Sequence, residues 1–385
     1  MSQEIYDIIV LGLGAMGSAS FYHAAKQGKK VLGIEQFEAA HSKGSSHGET
    51  RIIREAYHEG PFYVPMSQKS AKLFQELEKE VGQKLYDKIG CLMVGPPDSL
   101  TILDSKLSAD KYNLPYKMYD SKTIKERVPA WNLPEGFIAL YDETAGLVYP
   151  ERIINAHIDV ALKQNPKAKA LFGTKALSKK VRKEDGLIEV NTSKGLFTSK
   201  QLIISAGLWG NDFLKELNLP LIIQKQSVAW FENDESDKKL GQLPCYLVEY
   251  EKDKQVYGFP NALNTGVKVG LHKEGPTFKI SDEINYNQDP AFYDRIRQKI
   301  SPFIPSISQS KIAKQAVCFY TLTPDGHFII DFHPNNDNIV ILSPCSGHGF
   351  KFCSVIGQMA NELLQTKSNP YQYFKISRFN PTQKL

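Results

Sequence analysis

The sequence of 385 residues is poor in cysteine, with five in total and no C-x-x-C pair. They are Cys91, Cys245, Cys318, Cys345 and Cys353. An odd number of widely spaced thiols argues against a disulfide framework and against a zinc site, and it is typical of a reducing compartment. We therefore expect a cytoplasmic protein that holds no metal.

Long hydrophobic runs and a leader segment are also lacking. No apolar stretch reaches the roughly 18 residues that a membrane helix needs. The chain begins with Glu4 and Asp7 where a signal peptide would be basic and then apolar. The charge excess is only +5, from 47 Lys and Arg against 42 Asp and Glu, and the dense basic run at residues 179–183 is typical of a solvated hairpin. We expect neither a membrane nor a nucleic acid as a partner.

What the sequence does have is a glycine turn near its start. Apolar residues 8–11 lead into Gly12-x-Gly14-x-x-Gly17, and a helix-compatible segment follows. In a dinucleotide site these glycines permit a tight turn, close approach to a pyrophosphate and close helix packing, while the helix N-terminus faces the phosphates. Glu35 ends the next strand, where a carboxylate would bind a ribose. The alternative is a plain strand–turn–helix with incidental glycines.

The rest of the chain changes character along its length. Its first and last thirds alternate strands with helices, whereas the middle is rich in strands. This pattern predicts an α/β fold, with a Rossmann-type dinucleotide-binding domain interleaved with an α+β, sheet-rich substrate domain. We place the first domain at residues 1–84, 146–220 and 318–385, and the second at residues 85–145 and 221–317.

Several segments together resemble the monomeric sarcosine oxidase family, which includes N-methyltryptophan oxidase. Beside the glycine turn, they are residues 48–54 (GETRIIR), 257–260 (YGFP), 268–272 (KVGLH), 316–320 (AVCFY) and 346–352 (SGHGFKF). They occur in the family's order and at its spacing, over nearly the whole chain. The resemblance is carried mainly by the cysteine and glycine–histidine–glycine segments, which are far more specific than the glycine turn.

The resemblance implies a monomeric FAD enzyme with a particular reaction. Family members attach FAD covalently through a cysteine thioether and oxidise the N-methyl group of a small amino acid to an imine. Water splits this imine to an amino acid and formaldehyde, and dioxygen reoxidises the flavin to give hydrogen peroxide. The implied partners are therefore a small N-methyl amino acid and dioxygen.

The resemblance also assigns residues to the cofactor. Cys318 becomes the attachment site, which requires a thiolate and hence nearby positive charge, although a free cysteine is more commonly a small core residue. The glycines around His348 would bring backbone N–H groups to the flavin carbonyls, with a simple strand–helix turn as the alternative. The full cofactor set is Gly12, Gly14, Met16, Gly17, Glu35, Thr50, Cys318, Gly347, His348, Gly349 and Lys351.

Three cations receive roles near the flavin ring and the substrate. Arg51 and Arg54 are three residues apart and would share one side of a helical turn. The resemblance places Arg51 against the flavin, and it makes Arg54 and Lys351 the partners of the substrate carboxylate. A guanidinium donates two parallel hydrogen bonds to a carboxylate, and a lysine supplies a point charge. A solvated surface pair is the alternative for the two arginines.

Lys268 stands between two valines in a strand-like segment, where it could simply face solvent. The resemblance makes it the residue that activates oxygen, because an ammonium stabilises the negative charge that develops on dioxygen. His272 falls on the same side of that strand and would line the substrate cavity, influencing which protonation state of the amine binds. Tyr257 and Tyr320 would shape this cavity, with aromatic core packing as their alternative.

The main prediction is thus a covalent flavoprotein oxidase of N-methyl amino acids. Many family members have two adjacent histidines where this chain has Ser46-His47, so no role is assigned to Ser46. One alternative is a noncovalent FAD amino-acid oxidase, or a dehydrogenase that passes electrons to a protein. Another is a catalytically silent nucleotide-binding subunit. Cys318 and Lys268 favour the oxidase, and a silent subunit would have no use for the ordered cations.

Overall fold

The computed structural model describes residues 4–232, 240–279, 281–343 and 346–379. Its α-helices are α1 (Ala15–Lys26), α2 (Val64–Val81), α3 (Leu100–Lys111), α4 (Ser121–Arg127), α5 (Pro150–Gln164), α6 (Gly210–Phe213), α7 (Pro290–Ile300) and α8 (Cys353–Thr366). Its strands are β1 (Ile5–Leu11), β2 (Val31–Ile34), β3 (Arg51–Ile53), β4 (Tyr86–Asp87), β5 (Cys91–Gly95), β6 (Tyr116–Tyr119), β7 (Ile138–Asp142), β8 (Gly146–Val148), β9 (Lys169–Leu171), β10 (Ala176–Val181), β11 (Ile188–Thr192), β12 (Gly195–Ile204), β13 (Ile222–Phe231), β14 (Cys245–Glu251), β15 (Lys254–Phe259), β16 (Val267–His272), β17 (Thr277–Phe278), β18 (Ile312–Leu322), β19 (Ile329–His333) and β20 (Asn336–Ser343).

The first sheet is built around β1. Its strand order is β10-β11-β12-β1-β2-β9, with β20 joined to β12 and β19 to β20. The pairs β12–β1, β1–β2, β2–β9 and β12–β20 are parallel. Ile8 and Val10 point into the core beneath α1, α5 and α8, whereas Ile9 and Leu11 enter the core on the opposite face. Because both faces are covered, β1 is apolar from Ile8 to Leu11.

The second sheet has the order β17-β13-β16-β15-β14-β5-β7-β6, and β18 also pairs with β13. Val267, Val269 and Leu271 of β16 pack into a core that α7 covers. Successive residues of a strand point to opposite faces, so Lys268 lies on the other face of the same strand. That other face, rather than the core face, lines the functional cavity described below.

A small third sheet, in the order β3-β8-β4, contains Arg51. Arg51 opposes Val148 in the antiparallel pair β3–β8, and Arg54 follows directly after β3. The prediction that Arg51 and Arg54 share a helical turn is therefore wrong. The short strand forms because residues 51–53 find backbone partners in β8, a tertiary contact that residue spacing does not reveal.

The predicted fold class is confirmed, as are the helix that follows the glycine turn (α1) and the basic hairpin, which β10 and β11 form. The domain limits stay a prediction, and the limit between residues 317 and 318 would divide β18, which is one continuous strand of the second sheet. Of the cysteines, Cys345 lies outside the described residues, and the other four are buried free thiols. Among the helices of the described part, none has the length and apolar composition needed to cross a bilayer.

Candidate active site

A cavity of about 530 Å³ lies between the two large sheets. On one side are the carboxyl ends of β1 and β2, the usual place for a ligand in a doubly wound sheet. On the other side are β13, β15, β16 and β18. The structure brings most of the predicted site residues to this cavity, namely Gly12, Gly14, Met16, Glu35, Arg51, Arg54, Tyr257, Lys268, His272, Cys318, Tyr320, Gly347, His348, Gly349 and Lys351. Gly17 and Thr50 are not among the lining residues, but each contacts one of them: Gly17 packs against Gly12, and the carbonyl oxygen of Thr50 accepts a hydrogen bond from Lys268.

The glycine turn opens toward this cavity. No side chain caps the N-terminus of α1 at Gly14, and a Cβ placed on Gly14 would have no atom within 4 Å. A Cβ on Gly17 would lie 1.7 Å from the carbonyl oxygen of Gly12, so glycine alone allows this close approach. Glu35 is buried, and its carboxylate accepts the N–H of Leu13 at 2.8 Å and that of Phe37 at 3.1 Å. The carboxylate thus fixes the turn as well as facing the cavity.

These observations fit a dinucleotide. Open space at Gly14, an uncapped helix N-terminus and a carboxylate at the end of β2 match its pyrophosphate and ribose. Farther along the cavity, the Nε2 atom of His47 is buried and has no hydrogen-bond partner among the described residues. Buried polar atoms normally have partners, so a bound ligand is a reasonable source of the missing one.

The two glycines give a matched prediction. Gly17→Ala should lower the stability of the protein by about 1–3 kcal/mol, because its Cβ forces the turn away from α1. Gly14→Ala should leave the unfolding temperature of the cofactor-free protein nearly unchanged and weaken cofactor retention, because its Cβ enters only open space. Thermal unfolding with and without FAD measures both effects. Equal losses of stability in the two cofactor-free variants would contradict this division.

Lys268 is buried, with only 3% of its surface exposed. Its Nζ donates hydrogen bonds to the carbonyl oxygens of Gly48 (2.6 Å) and Thr50 (2.9 Å) and lies 4.7 Å from the ring centre of Phe259. The interpretation that Lys268 faces solvent is therefore wrong, because β16 is covered on both faces. Burial and the nearby Arg51 place the pKa of Lys268 well below its usual value.

Arg51 and Cys318 face the same region of the cavity. The guanidinium of Arg51 donates to the carbonyl oxygens of Ser45 (2.7 Å) and Thr50 (2.8 Å), which holds it against the loop. Burial raises the pKa of the Cys318 thiol, while Arg51 and Lys268 act in the opposite direction. The positive charge that a reactive thiolate requires is thus present, although burial outweighs it in the chain alone.

Arg54 and Lys351 both contact the side chain of Tyr57. The guanidinium of Arg54 lies 4.2 Å from the ring centre of Tyr57, and the Nζ of Lys351 lies 3.2 Å from the Tyr57 hydroxyl. Lys351 also donates to the carbonyl oxygen of His348 at 2.8 Å. Both cations are buried, which makes them strong partners for an anion in a region of low dielectric.

Glu59 already contacts this pair of cations. Its Oε2 atom lies 2.5 Å from the Nη2 of Arg54, which also donates through Nη1 to the carbonyl oxygen of Ala56. Burial opposes ionisation of Glu59, but Arg54 and His58 hold its pKa well below the usual value. Glu59 is thus a buried carboxylate that pairs directly with Arg54.

His272 lies within an aromatic group. Its Nδ1 is 3.3 Å from the hydroxyl of Tyr320, and its ring centre is 6.4 Å from that of Tyr257. A Cβ on Gly347 would lie 2.7 Å from Cε1 of His272 and 2.7 Å from Cε2 of Tyr320. Only glycine therefore allows the backbone to pass this close to the two rings. Burial, with Lys273 next in importance, places the pKa of His272 well below 6.5 and keeps the imidazole neutral.

Several residues at or behind the cavity are absent from the sequence-based set. Tyr57 and Glu59 follow Arg54 closely, and that proximity is the one signal the sequence offers for them. Glu49 and Glu151 act on the loop around Gly48, and their roles depend on contacts between distant parts of the chain. Glu49 lies within the GETRIIR segment, which gave it no role of its own, and no motif marks Glu151.

The fold and the cavity are those of a dinucleotide-dependent enzyme, and comparison with known proteins identifies it as a flavin-dependent oxidoreductase. The chain belongs to the family described as FAD dependent oxidoreductase (DAO), whose sequence profile matches residues 7–363. It is similar to monomeric sarcosine oxidase of Streptomyces avermitilis, with 35% identity over 384 residues, 98% of this chain and 97% of that one. It is also 35% identical to monomeric sarcosine oxidase of Bacillus sp. (strain B-0618) over 382 residues, 97% of this chain and 96% of that one.

More distant similarities extend the same picture. N-methyl-L-tryptophan oxidase of Yersinia pestis (strain Pestoides F) is 29% identical over 380 residues, 97% of this chain and 99% of that one. Solved structures with the same fold include L-proline dehydrogenase from P. horikoshii, with a TM-score of 0.84, 21% identity and 98% of each chain covered. Another is the open form of the Tyr258Phe mutant of NikD, with a TM-score of 0.82, 18% identity and 97% of each chain covered. The predicted family and enzyme class are confirmed.

Proposed function

We propose that the protein is an FAD-dependent oxidase of N-methyl amino acids, of the sarcosine or N-methyl-L-tryptophan type. The overall reaction consumes the secondary amine, dioxygen and water, and it yields the demethylated amino acid, formaldehyde and hydrogen peroxide. The observation that carries the proposal is the set of three buried cations, Arg54, Lys351 and Lys268, in one cavity with Cys318. The relatives described above support it, and their name also supports a monomer.

Cofactor and protein would divide the chemistry as follows. When bound, FAD would supply the two-electron acceptor for oxidation of the N-methyl group, with dioxygen as the final oxidant. The turn at Gly14 and the carboxylate of Glu35 would hold its phosphates and ribose, and Cys318 would form the thioether. Arg51 lies close enough to Cys318 and Lys268 to affect the pKa of both, as expected for a residue beside the flavin ring.

Arg54 and Lys351 would bind the substrate carboxylate. Both cations contact Tyr57, so one carboxylate could meet them together once Arg54 leaves Glu59. This arrangement fixes the acid end of the substrate and leaves the amine end free to approach the flavin. Binding energy spent in this way orients the reacting carbon.

The cavity also favours the neutral amine. Arg54 and Lys351 disfavour a second positive charge beside them, and the neutral imidazole of His272 adds none. Oxidation needs the nitrogen lone pair, so a site that excludes the ammonium form selects the reactive one. The hydroxyl of Tyr320 holds His272 in place at 3.3 Å.

Lys351 predicts a pH dependence for binding. Burial, and secondly Arg54, lower the pKa of Lys351 to about 7, with Glu59 acting in the opposite direction. Its ammonium is therefore present below pH 7 and lost above it. The affinity for a carboxylate inhibitor should fall above that pH by up to about tenfold per unit. Inhibitor titrations monitored by flavin absorbance would measure this, and a Lys351→Met variant that retains the same slope would contradict the assignment.

The proposed function is tested with a substrate panel. Purified holoenzyme is given sarcosine, N-methyl-L-tryptophan, glycine and L-proline, and peroxide and formaldehyde are measured together. We expect equal amounts of both products from at least one N-methyl amino acid. Reduction of an artificial dye in air without peroxide would instead favour a dehydrogenase, and no reaction with any N-methyl amino acid would reject the proposal.

A further inference from the structure

Behind the loop that holds Lys268 lies a carboxylate outside the cavity lining. Glu151 is the second residue of α5, where the positive end of the helix dipole favours a negative charge. Its Oε1 atom accepts the N–H of Gly48 at 2.6 Å and that of Glu49 at 3.1 Å, and its Oε2 atom lies 3.2 Å from the latter nitrogen. Two successive N–H groups of the loop thus converge on one carboxylate.

The same loop binds Lys268 through its carbonyl groups. The Gly48 oxygen accepts the ammonium of Lys268 at 2.6 Å, and the Glu49 nitrogen of the same peptide unit donates to Glu151. The C=O and N–H of a trans peptide point in opposite directions. One peptide unit therefore connects the lysine on one side of the loop to the carboxylate on the other.

The conformation of the loop depends on these contacts. Gly48 and Glu49 both have positive φ, +93° and +73°, which is uncommon for a residue with a side chain. The carboxylate of Glu49 is held by Trp230 (2.8 Å), Thr265 (2.7 Å) and Lys314 (2.6 Å). With the backbone fixed by Glu151 and the side chain fixed by the second sheet, the Gly48 carbonyl is aimed at Lys268.

We propose that Glu151 is a positioning residue that acts on Lys268 through the Gly48–Glu49 peptide, and this inference rests on the proposed role of Lys268. The carboxylate polarises the peptide N–H, which makes the carbonyl oxygen a stronger acceptor for the ammonium. It also places a negative charge behind a lysine whose pKa is lowered by burial. In agreement, Glu151 and Glu49 both act to raise the pKa of Lys268.

The experiment combines a structural and a kinetic measurement on purified holoenzyme. In Glu151→Ala, hydrogen exchange of the Gly48 and Glu49 amides should accelerate about tenfold, the effect of losing one charged hydrogen bond. Flavin reoxidation by dioxygen should slow by about the same factor, with anaerobic reduction by substrate changed less than about twofold. Glu151→Gln keeps an acceptor oxygen without the charge, so it should retain amide protection and shift the pH profile of reoxidation to lower pH.

Glu78 provides a matched control. Its carboxylate also accepts two successive N–H groups, from Leu85 (2.8 Å) and Tyr86 (3.1 Å), away from the cavity. Glu78→Ala should accelerate exchange at those amides and leave both half-reactions unchanged. Full amide protection in Glu151→Ala, or equal slowing of both half-reactions, would overturn the inference. If Lys268→Met itself leaves reoxidation unchanged, the role of Lys268 fails, and the exchange data still show whether Glu151 holds the peptide.

Discussion

Lys268→Met should slow reoxidation of the bound flavin by dioxygen about 10²–10³-fold, while anaerobic reduction by substrate stays within about threefold of wild type. The Nζ of Lys268 is fixed by two carbonyl oxygens. In its proposed role, its ammonium would supply the positive charge that stabilises dioxygen as electrons reach it. Methionine has a similar length and no charge, so it removes the electrostatic contribution and largely keeps the packing. Stopped-flow measurement of the two half-reactions separates these contributions.

Lys225 is a suitable control for this variant. It is also a buried lysine on a strand of the second sheet, and it donates to Asn285 Oδ1 (3.0 Å) outside the cavity. Lys225→Met removes a buried charge of the same kind, so a loss of stability without slower reoxidation is expected. If both lysine variants slowed reoxidation equally, or if Lys268→Met slowed both half-reactions equally, the oxygen-activating role would be rejected.

Arg54→Ala should weaken the binding of carboxylate inhibitors about 10²–10³-fold, and kcat/KM should fall by a similar factor. Removing one partner of a buried charge pair costs about 2–5 kcal/mol. Inhibitors that lack a carboxylate should lose little affinity, which separates this effect from general damage to the cavity. Equilibrium titration with matched acid and amide inhibitors provides the measurement.

The Arg54 variant also leaves Glu59 buried without its main partner, which costs stability. The double variant Arg54→Ala/Glu59→Gln removes that unpaired charge and should bind acids as weakly as the single variant. Arg152→Ala is the control, since Arg152 also stacks on a tyrosine (4.3 Å from the ring centre of Tyr149) but lies outside the cavity lining. Unchanged affinity for acids in the double variant would exclude Arg54 as the carboxylate partner.

Short sequence patterns were sufficient to predict the glycine turn and the carboxylate that face the cavity at the ends of β1 and β2. The turn from Gly12 to Gly17 and the acid at Glu35 depend on residues close in sequence, and the structure places them as their spacing predicts. The fold class followed from the alternation of strands and helices. The family resemblance identified Cys318 and Lys268. Strand alternation alone does not show which face of a strand lines the cavity, so it could not place these two side chains there.

Short sequence patterns did not predict the parts of the site that form where distant segments of the chain come into contact. Arg51 lies in a strand because β8, about one hundred residues later, supplies its backbone partners. Glu151 lies 103 residues from Gly48 in the sequence, and its two hydrogen bonds exist only in the folded chain. Glu59 belongs to the site because its carboxylate lines the cavity and pairs with Arg54. Such contacts depend on tertiary packing, which no short motif encodes.

We propose that Cys318 would hold a covalently attached flavin in the cavity that also contains Arg54, Lys351 and Lys268. The most direct test of this proposal is acid precipitation of the purified holoenzyme, followed by digestion and mass spectrometry of the flavin-bearing peptide. We expect a yellow precipitate, with the flavin on the peptide that contains Cys318, and a colourless precipitate from Cys318→Ser. A colourless precipitate from the unmodified protein, or flavin attached to any other residue, would contradict it.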